Sequence, residues 1–115
     1  MAKGCVQRPG YDYVETFSPA TRMDTIQAIL ALVPVMGLKI HQLDIKGAYL
    51  NGILKEKVYM RQPEGYEYEM DRICELLKTL YGLKQSGQEW NIQFDKKMKE
   101  FGYKRISSDP CVYIK

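Results

Sequence analysis

Histidine is almost missing from this chain: His41 stands alone, and the three cysteines, Cys5, Cys74 and Cys111, lie far apart with no Cys-x-x-Cys pair. Structural zinc needs about four clustered Cys or His donors, so a zinc-built fold is excluded. An odd set of scattered cysteines also argues against a disulfide framework, and a reducing compartment fits best. Charge of one sign is scarce as well. Lys and Arg number 17 against 14 Asp and Glu, a net +3 at pH 7, which permits contact with nucleic acid or an acidic surface but is far from a histone-like binder. Long apolar runs are absent: the most apolar stretch, residues 26–38, is too short to span a bilayer and holds Pro34. No basic segment followed by an apolar one opens the chain, so no targeting or membrane segment is expected. There is no Ser-His-Asp or Cys-His arrangement, Walker loop or dinucleotide fingerprint, and no internal repeat.

What remains is enough to fold. Apolar residues make up 45% and aromatics 11% of 115 residues, sufficient for one small domain and too rich for a disordered segment. Residues 1–20 are dense in Gly, Pro and aromatics without periodicity and read as an irregular lead-in. Ile26, Ile29, Leu30 and Val33 share a helical face, and Asp24 with Gln27 resembles a capping box, predicting a helix over 25–36. Pro34 predicts a kink or an early end, and Gly37 the stop.

Residues 39–45 carry Ile40, Leu43 and Ile45 among polar residues before Gly47 and read as a strand ending near Asp44. Val58, Tyr59 and Met60 read as a short strand, followed by turn chemistry at 62–65 and a loop through Tyr68. Residues 72–80 fit strand or helix by periodicity, with strand favoured. Ser86 and Glu89 form a second capping-box pattern. Trp90, Phe94, Met98 and Phe101 then make an apolar stripe that predicts a helix over 87–101, with Asp95 and Lys99 as an exposed i, i+4 pair worth about 0.3 kcal/mol. After Asp109 and Pro110, residues 111–115 read as a strand. Strands and helices in this order indicate an α+β fold, short antiparallel strands packed against two main helices.

Two stretches could carry chemistry. Asp44 leaves an apolar strand into a Gly-containing turn, where a carboxylate and the next backbone carbonyl can hold a hard cation; a plain turn or cap role is the commoner use of such a residue. Tyr49 nearby is by type more often core than substrate contact. In the second stretch, glycines 82 and 87 stand before a helix N-terminus, a pattern that suits a phosphate and equally suits an ordinary capped connection. Lys96, Lys97, Lys99, Lys104 and Arg105 form a basic cluster, usually a solvated face, which could track a phosphate backbone.

Six segments, in order, resemble the reverse transcriptases of copia-type LTR retrotransposons, those of fungal elements especially. They are AKGCVQRPG at 2–10, YVETFSPATRMDTI at 13–26, HQLDIKGAYLNG at 41–52, VYMRQPEG at 58–65, LYGLKQSGQEW at 80–90 and DPCVYIK at 109–115. The resemblance implies a partial fingers and palm of a right-hand polymerase over residues 1–115, cut before a Tyr-x-Asp-Asp hairpin, with thumb and ribonuclease H segments elsewhere. Asp44 would be a catalytic, metal-binding aspartate assisted by the Ile45 carbonyl, in a site that takes two magnesium ions in the complete enzyme and holds them weakly or not at all in this piece.

By the same resemblance Lys46, Gly47, Tyr49 and Gly82 would bind the deoxynucleotide, with Tyr49 as the gate against a ribose 2′-hydroxyl. Lys84 and Gln85 would contact template or primer. The implied partners are an RNA or DNA primer-template, deoxynucleotides and the downstream palm, thumb and ribonuclease H segments; the implied location is a cytoplasmic retrotransposon particle. Two positions depart from the family pattern: Pro34 replaces a helix-compatible residue, and Gln88 stands where Arg is usual, removing a positive charge. A non-catalytic nucleic-acid-binding module and a non-functional retroelement remnant remain the alternatives.

Overall fold

The computed structural model describes residues 1–69 and 71–115. In chain order it holds α1 (Met23–Met36), β1 (Ile53–Arg61), β2 (Ile73–Lys78), α2 (Ser86–Glu100), β3 (Lys104–Arg105) and β4 (Tyr113–Ile114), with 3₁₀ turns at Gly4–Val6 and Ala48–Asn51. β1 pairs antiparallel with β2, and β3 with β4, as two separate two-stranded sheets. The expected α+β class with two main helices is what the chain forms.

Register explains which residues face inward. Val58 pairs with Leu76 and Met60 with Cys74 on the covered face, while Tyr59 with Glu75 and Arg61 with Ile73 share the open one. Between the Ile53–Lys78 and Val58–Leu76 pairs, residues 54–57 of β1 face only Leu77 of β2, so the strand bulges.

Few apolar side chains are buried. Among the described residues Val58 and Leu83 are the buried hydrophobic ones, beside a larger buried polar group of Gln7, Thr79, Gln85, Ser86, Glu89 and Asp109. Buried polar atoms are costly unless hydrogen-bonded, and most of these are. The Gln7 side-chain amide donates to Gln85 Oε1 at 3.0 Å and its Oε1 accepts the Lys84 N–H at 2.9 Å, while Gln85 Nε2 donates to the Asp12 carbonyl at 3.0 Å. The irregular lead-in is thereby tied to the entrance of α2.

Several expectations need correction. Residues 39–45 form no strand: no described strand pairs with them, and without a ladder an extended run stays irregular. α1 does not end at Pro34 but runs to Met36 and stops at Gly37, whose φ of 62° is left-handed. Neither capping box forms. The N-caps are Arg22 and Gln85, without side-chain cap bonds, and the Ser86 hydroxyl instead donates to the Leu80 carbonyl at 2.6 Å. The front of α1 is served from afar: Asp109 Oδ2 accepts the Arg22 N–H at 3.2 Å and Oδ1 the Cys111 N–H at 2.9 Å.

The Asp95–Lys99 pair exists at 2.6 Å, but Asp95 is mostly buried rather than exposed. Its carboxylate also pairs ionically with Arg105 at 2.8 Å and accepts the Tyr113 hydroxyl at 3.1 Å, and the Phe94 and Tyr113 rings meet edge to face at 5.8 Å. This joins β3 and β4 to α2. Burial pushes the Tyr113 phenol above its ordinary value, against the hydrogen bond from Arg105.

Candidate functional site

The site assembles where residues 44–52 meet residues 79–89. Gly47 adopts φ 63° and opens the Ala48–Asn51 turn, in which the Leu50 N–H donates to the Gly47 carbonyl at 2.9 Å. The Asn51 amide donates to the same carbonyl at 3.2 Å. Thr79, fully buried, fixes the turn from outside: its hydroxyl donates to the Tyr49 carbonyl and its N–H to the Gly52 carbonyl at 3.0 Å. Gly52 has to be glycine here, because a Cβ would run into the Thr79 hydroxyl.

Tyr49 is half-buried. Its ring lies 4.9 Å from that of Tyr81 at an interplanar angle of 43°. Its hydroxyl lies at the first turn of α2, within ordinary contact of the position a Gly87 Cβ would take. The Ser18 hydroxyl donates to the Gly87 carbonyl at 3.2 Å, bringing the 13–26 segment to the same place.

Asp44, Ile45 and Lys46 are exposed on the irregular segment before Gly47, and neither Asp44 nor Lys46 makes a side-chain hydrogen bond or ion pair among the described residues. No group of three or more His, Cys, Asp or Glu among the described residues is placed to hold a metal ion. Asp44 and the Ile45 carbonyl offer at most three oxygens where octahedral magnesium takes about six ligands, so these residues do not complete a magnesium site by themselves.

Gly82 has φ 99°, and the space its Cβ would fill belongs to the Ala2 carbonyl rather than to open solvent. The Ala2 N–H donates to the Tyr81 carbonyl at 2.8 Å. Lys84 is exposed, its Nζ donating to the Tyr13 hydroxyl at 3.2 Å and lying 5.0 Å from the centre of that ring. Gln85 is 1% exposed with its amide spent on Gln7 and Asp12, so it presents no free polar group to a template and acts as a brace.

The basic cluster around the end of α2 is partly neutralised from within: Lys97 pairs with Glu100 at 2.7 Å, and Lys99 and Arg105 with Asp95. Glu89, buried in the first turn of α2, pairs with Lys55 at 3.2 Å through Oε1. Sequence reasoning misses Tyr81, Thr79 and Ser18, whereas it marks Gly87. Tyr81 carried a legible sign, an aromatic directly before a glycine in the 80–90 motif; a buried threonine and a serine in a lead-in carry none.

A family model described as reverse transcriptase (RNA-dependent DNA polymerase) matches residues 1–115. The retrovirus-related Pol polyprotein from transposon TNT 1-94 of Nicotiana tabacum is 45% identical over 117 residues, covering 100% of this chain and 9% of that protein. The retrovirus-related Pol polyprotein from transposon RE1 of Arabidopsis thaliana is 38% identical, covering 99% of this chain and 8% of that protein. The transposon Ty1-H Gag-Pol polyprotein of Saccharomyces cerevisiae is 32% identical, covering 98% and 6%. The chain thus spans less than a tenth of the length of the curated relatives it matches. Of these three the tobacco protein is nearer than the yeast one, so the narrower likeness to fungal elements finds no support in them. No solved structure matches the chain.

Proposed function

The chain belongs to the reverse transcriptase (RNA-dependent DNA polymerase) family, as a segment similar to copia-type Pol polyproteins, and from that premise we propose that it forms the nucleotide-facing part of the fingers and palm in a complete polymerase. The observation that carries the reading is the meeting of the 41–52 motif with the 80–90 motif and the residue just before it, through Tyr49, Tyr81 and Thr79. Two segments separated by about thirty residues of hairpin converge on one half-open aromatic ledge next to the exposed carboxylate segment.

In this reading the primer 3′-hydroxyl oxygen attacks the α-phosphorus of a deoxynucleotide and pyrophosphate leaves. The residues of this chain bind and orient. Lys46 and the Gly47 turn face the phosphates, Tyr49 lies under the sugar and excludes a 2′-hydroxyl, and Lys84 meets the template. Asp44 would serve as one carboxylate of the metal-binding set, with the Ile45 carbonyl beside it and the other carboxylates supplied from outside these 115 residues. Divalent ions are general to the family's chemistry and would supply charge stabilisation at the phosphates when bound. RNA or DNA primer-template and the other Pol segments are the proposed partners, and a cytoplasmic retroelement particle the proposed location. No helix of the described residues is long and apolar enough to cross a membrane.

The test is primer extension on an RNA template by the complete polyprotein's polymerase. Asp44→Ala should remove extension by a factor of about 10³ or more, the scale of losing a charge-stabilising group, while leaving primer-template binding in place. Retained extension by the alanine variant would overturn the assignment.

A further inference from the structure

We infer that Tyr81 is a specificity-determining residue of the same site: its ring holds the Tyr49 ring in the position that excludes a ribose 2′-hydroxyl, so the two tyrosines together form the sugar-facing ledge. This rests on the reading of Tyr49 as the gate. A single tyrosine excludes a hydroxyl only if its ring cannot turn aside, because a staggered side chain has other rotamers within reach. Three contacts remove that freedom. The backbone of Tyr49 is fixed by the Thr79 hydroxyl and by the Gly52 N–H, which donates to the Tyr49 carbonyl at 3.1 Å. The hydroxyl end of the ring lies beside the first turn of α2, 4.0 Å from where a Gly87 Cβ would stand. The face of the ring is bounded by Tyr81 at 4.9 Å, a tilted geometry within the range that aromatic pairs favour.

Tyr81 is itself well anchored. Its carbonyl accepts the Ala2 N–H, and the left-handed Gly82 that follows turns the chain sharply into α2. The residue remains 43% exposed, so one part of the ring supports Tyr49 while another can meet a ligand. Of these contacts Tyr81 is the one whose side chain meets the Tyr49 ring itself; the Thr79 hydroxyl acts on the Tyr49 backbone, and Gly87 has no side chain. The gate's stiffness therefore sits in a residue about thirty positions downstream of the gate.

The test compares incorporation of ribonucleotides and deoxynucleotides by the complete polymerase, as the ratio of kcat/KM for each matched pair. Tyr81→Ala should lower discrimination against ribonucleotides by about tenfold, the scale of losing one aromatic pair, and Tyr81→Phe, which keeps the ring, should stay within about twofold of the parent. Tyr49→Val serves as the reference for the gate. If Tyr49→Val relaxes discrimination and Tyr81→Ala leaves it unchanged, or lowers both substrates equally, the role given to Tyr81 is wrong while the gate stands. If neither variant alters the ratio, the reading of Tyr49 fails and the inference with it. Should Tyr81→Ala lose all polymerisation, Tyr81→Leu, which keeps apolar bulk without the ring, is read in its place by the same criteria.

Discussion

Gly4 and Gly82 both stand where neighbouring backbone leaves no room for a side chain: a Cβ on Gly4 would meet the Gly82 carbonyl, and one on Gly82 the Ala2 carbonyl. Gly65 is left-handed too, with φ 83°, but nothing lies within contact of it. The two positions should respond differently to alanine. Gly65→Ala is expected to cost about 1 kcal/mol, the strain of a left-handed residue with a Cβ. Gly82→Ala adds a backbone collision and should cost about 2–5 kcal/mol, read as a shift in the denaturant midpoint. The sequence marks Gly82 as a place of close approach, and so it is. What approaches is the residue 2 backbone rather than open space for a ligand, and no local pattern records a neighbour eighty residues away. Gln85 shows the same limit: its motif was legible, its burial against Gln7 was not.

Elements with an internal period were the legible ones. The stripe from Trp90 to Met98 gave α2 to within a residue or two of Ser86–Glu100, and the apolar face from Ile26 gave most of α1. Strands depended on partners. Residues 53–61 and 73–78 find each other across a turn, whereas 39–45, equally apolar, has no described strand to pair with and stays irregular. The stabilising carboxylates at element ends were equally out of reach, since Asp109 serves the N-terminus of a helix 87 residues earlier.

Those carboxylates make a pH prediction. The Cys111 amide, opposed by burial and joined by the Arg22 amide and the Thr25 hydroxyl, holds Asp109 below its ordinary value. At Asp95 burial acts upward, and hydrogen bonds from Lys99 and Tyr113 with the Arg105 charge outweigh it, so that group is lowered as well. A carboxyl whose folded value lies below its unfolded value of about 3.9 stabilises the fold above that pH and loses its contribution as pH falls through the folded value. Denaturant midpoints should therefore hold from pH 7 to about 5 and drop below about 4. Asp95→Asn and Asp109→Asn should each lower the midpoint at pH 7 and flatten the acid limb. A limb unchanged in both variants would place the acid sensitivity elsewhere.

At the scale of the whole molecule the apolar surface is unfinished. The chain exposes 9559 Å², against about 6,500 Å² expected for a folded monomer of its mass. Its radius of gyration is 18.3 Å, where about 13 Å is usual for this length. Much of the excess lies on and just after α1, which buries no residue although it is apolar on most sides. Ile29 is 44% exposed, Leu30 51% and Val35 81%, and Leu43 on the following segment 91%. Helices apolar all round belong in cores, and exposed patches of this kind drive association.

The 115-residue chain alone is accordingly expected to bind a hydrophobic dye and to sediment as a species larger than 13.4 kDa. Replacing Ile29 and Leu30 by glutamate should reduce both signals. It should also leave the stability of the remaining structure within about 0.5 kcal/mol, because substitutions outside a packed core cost little. A chain that sediments as a monomer and excludes dye would mean that α1 packs onto its own domain in solution. The double glutamate variant would then lose stability by about 2 kcal/mol or more, as charges placed in a core do.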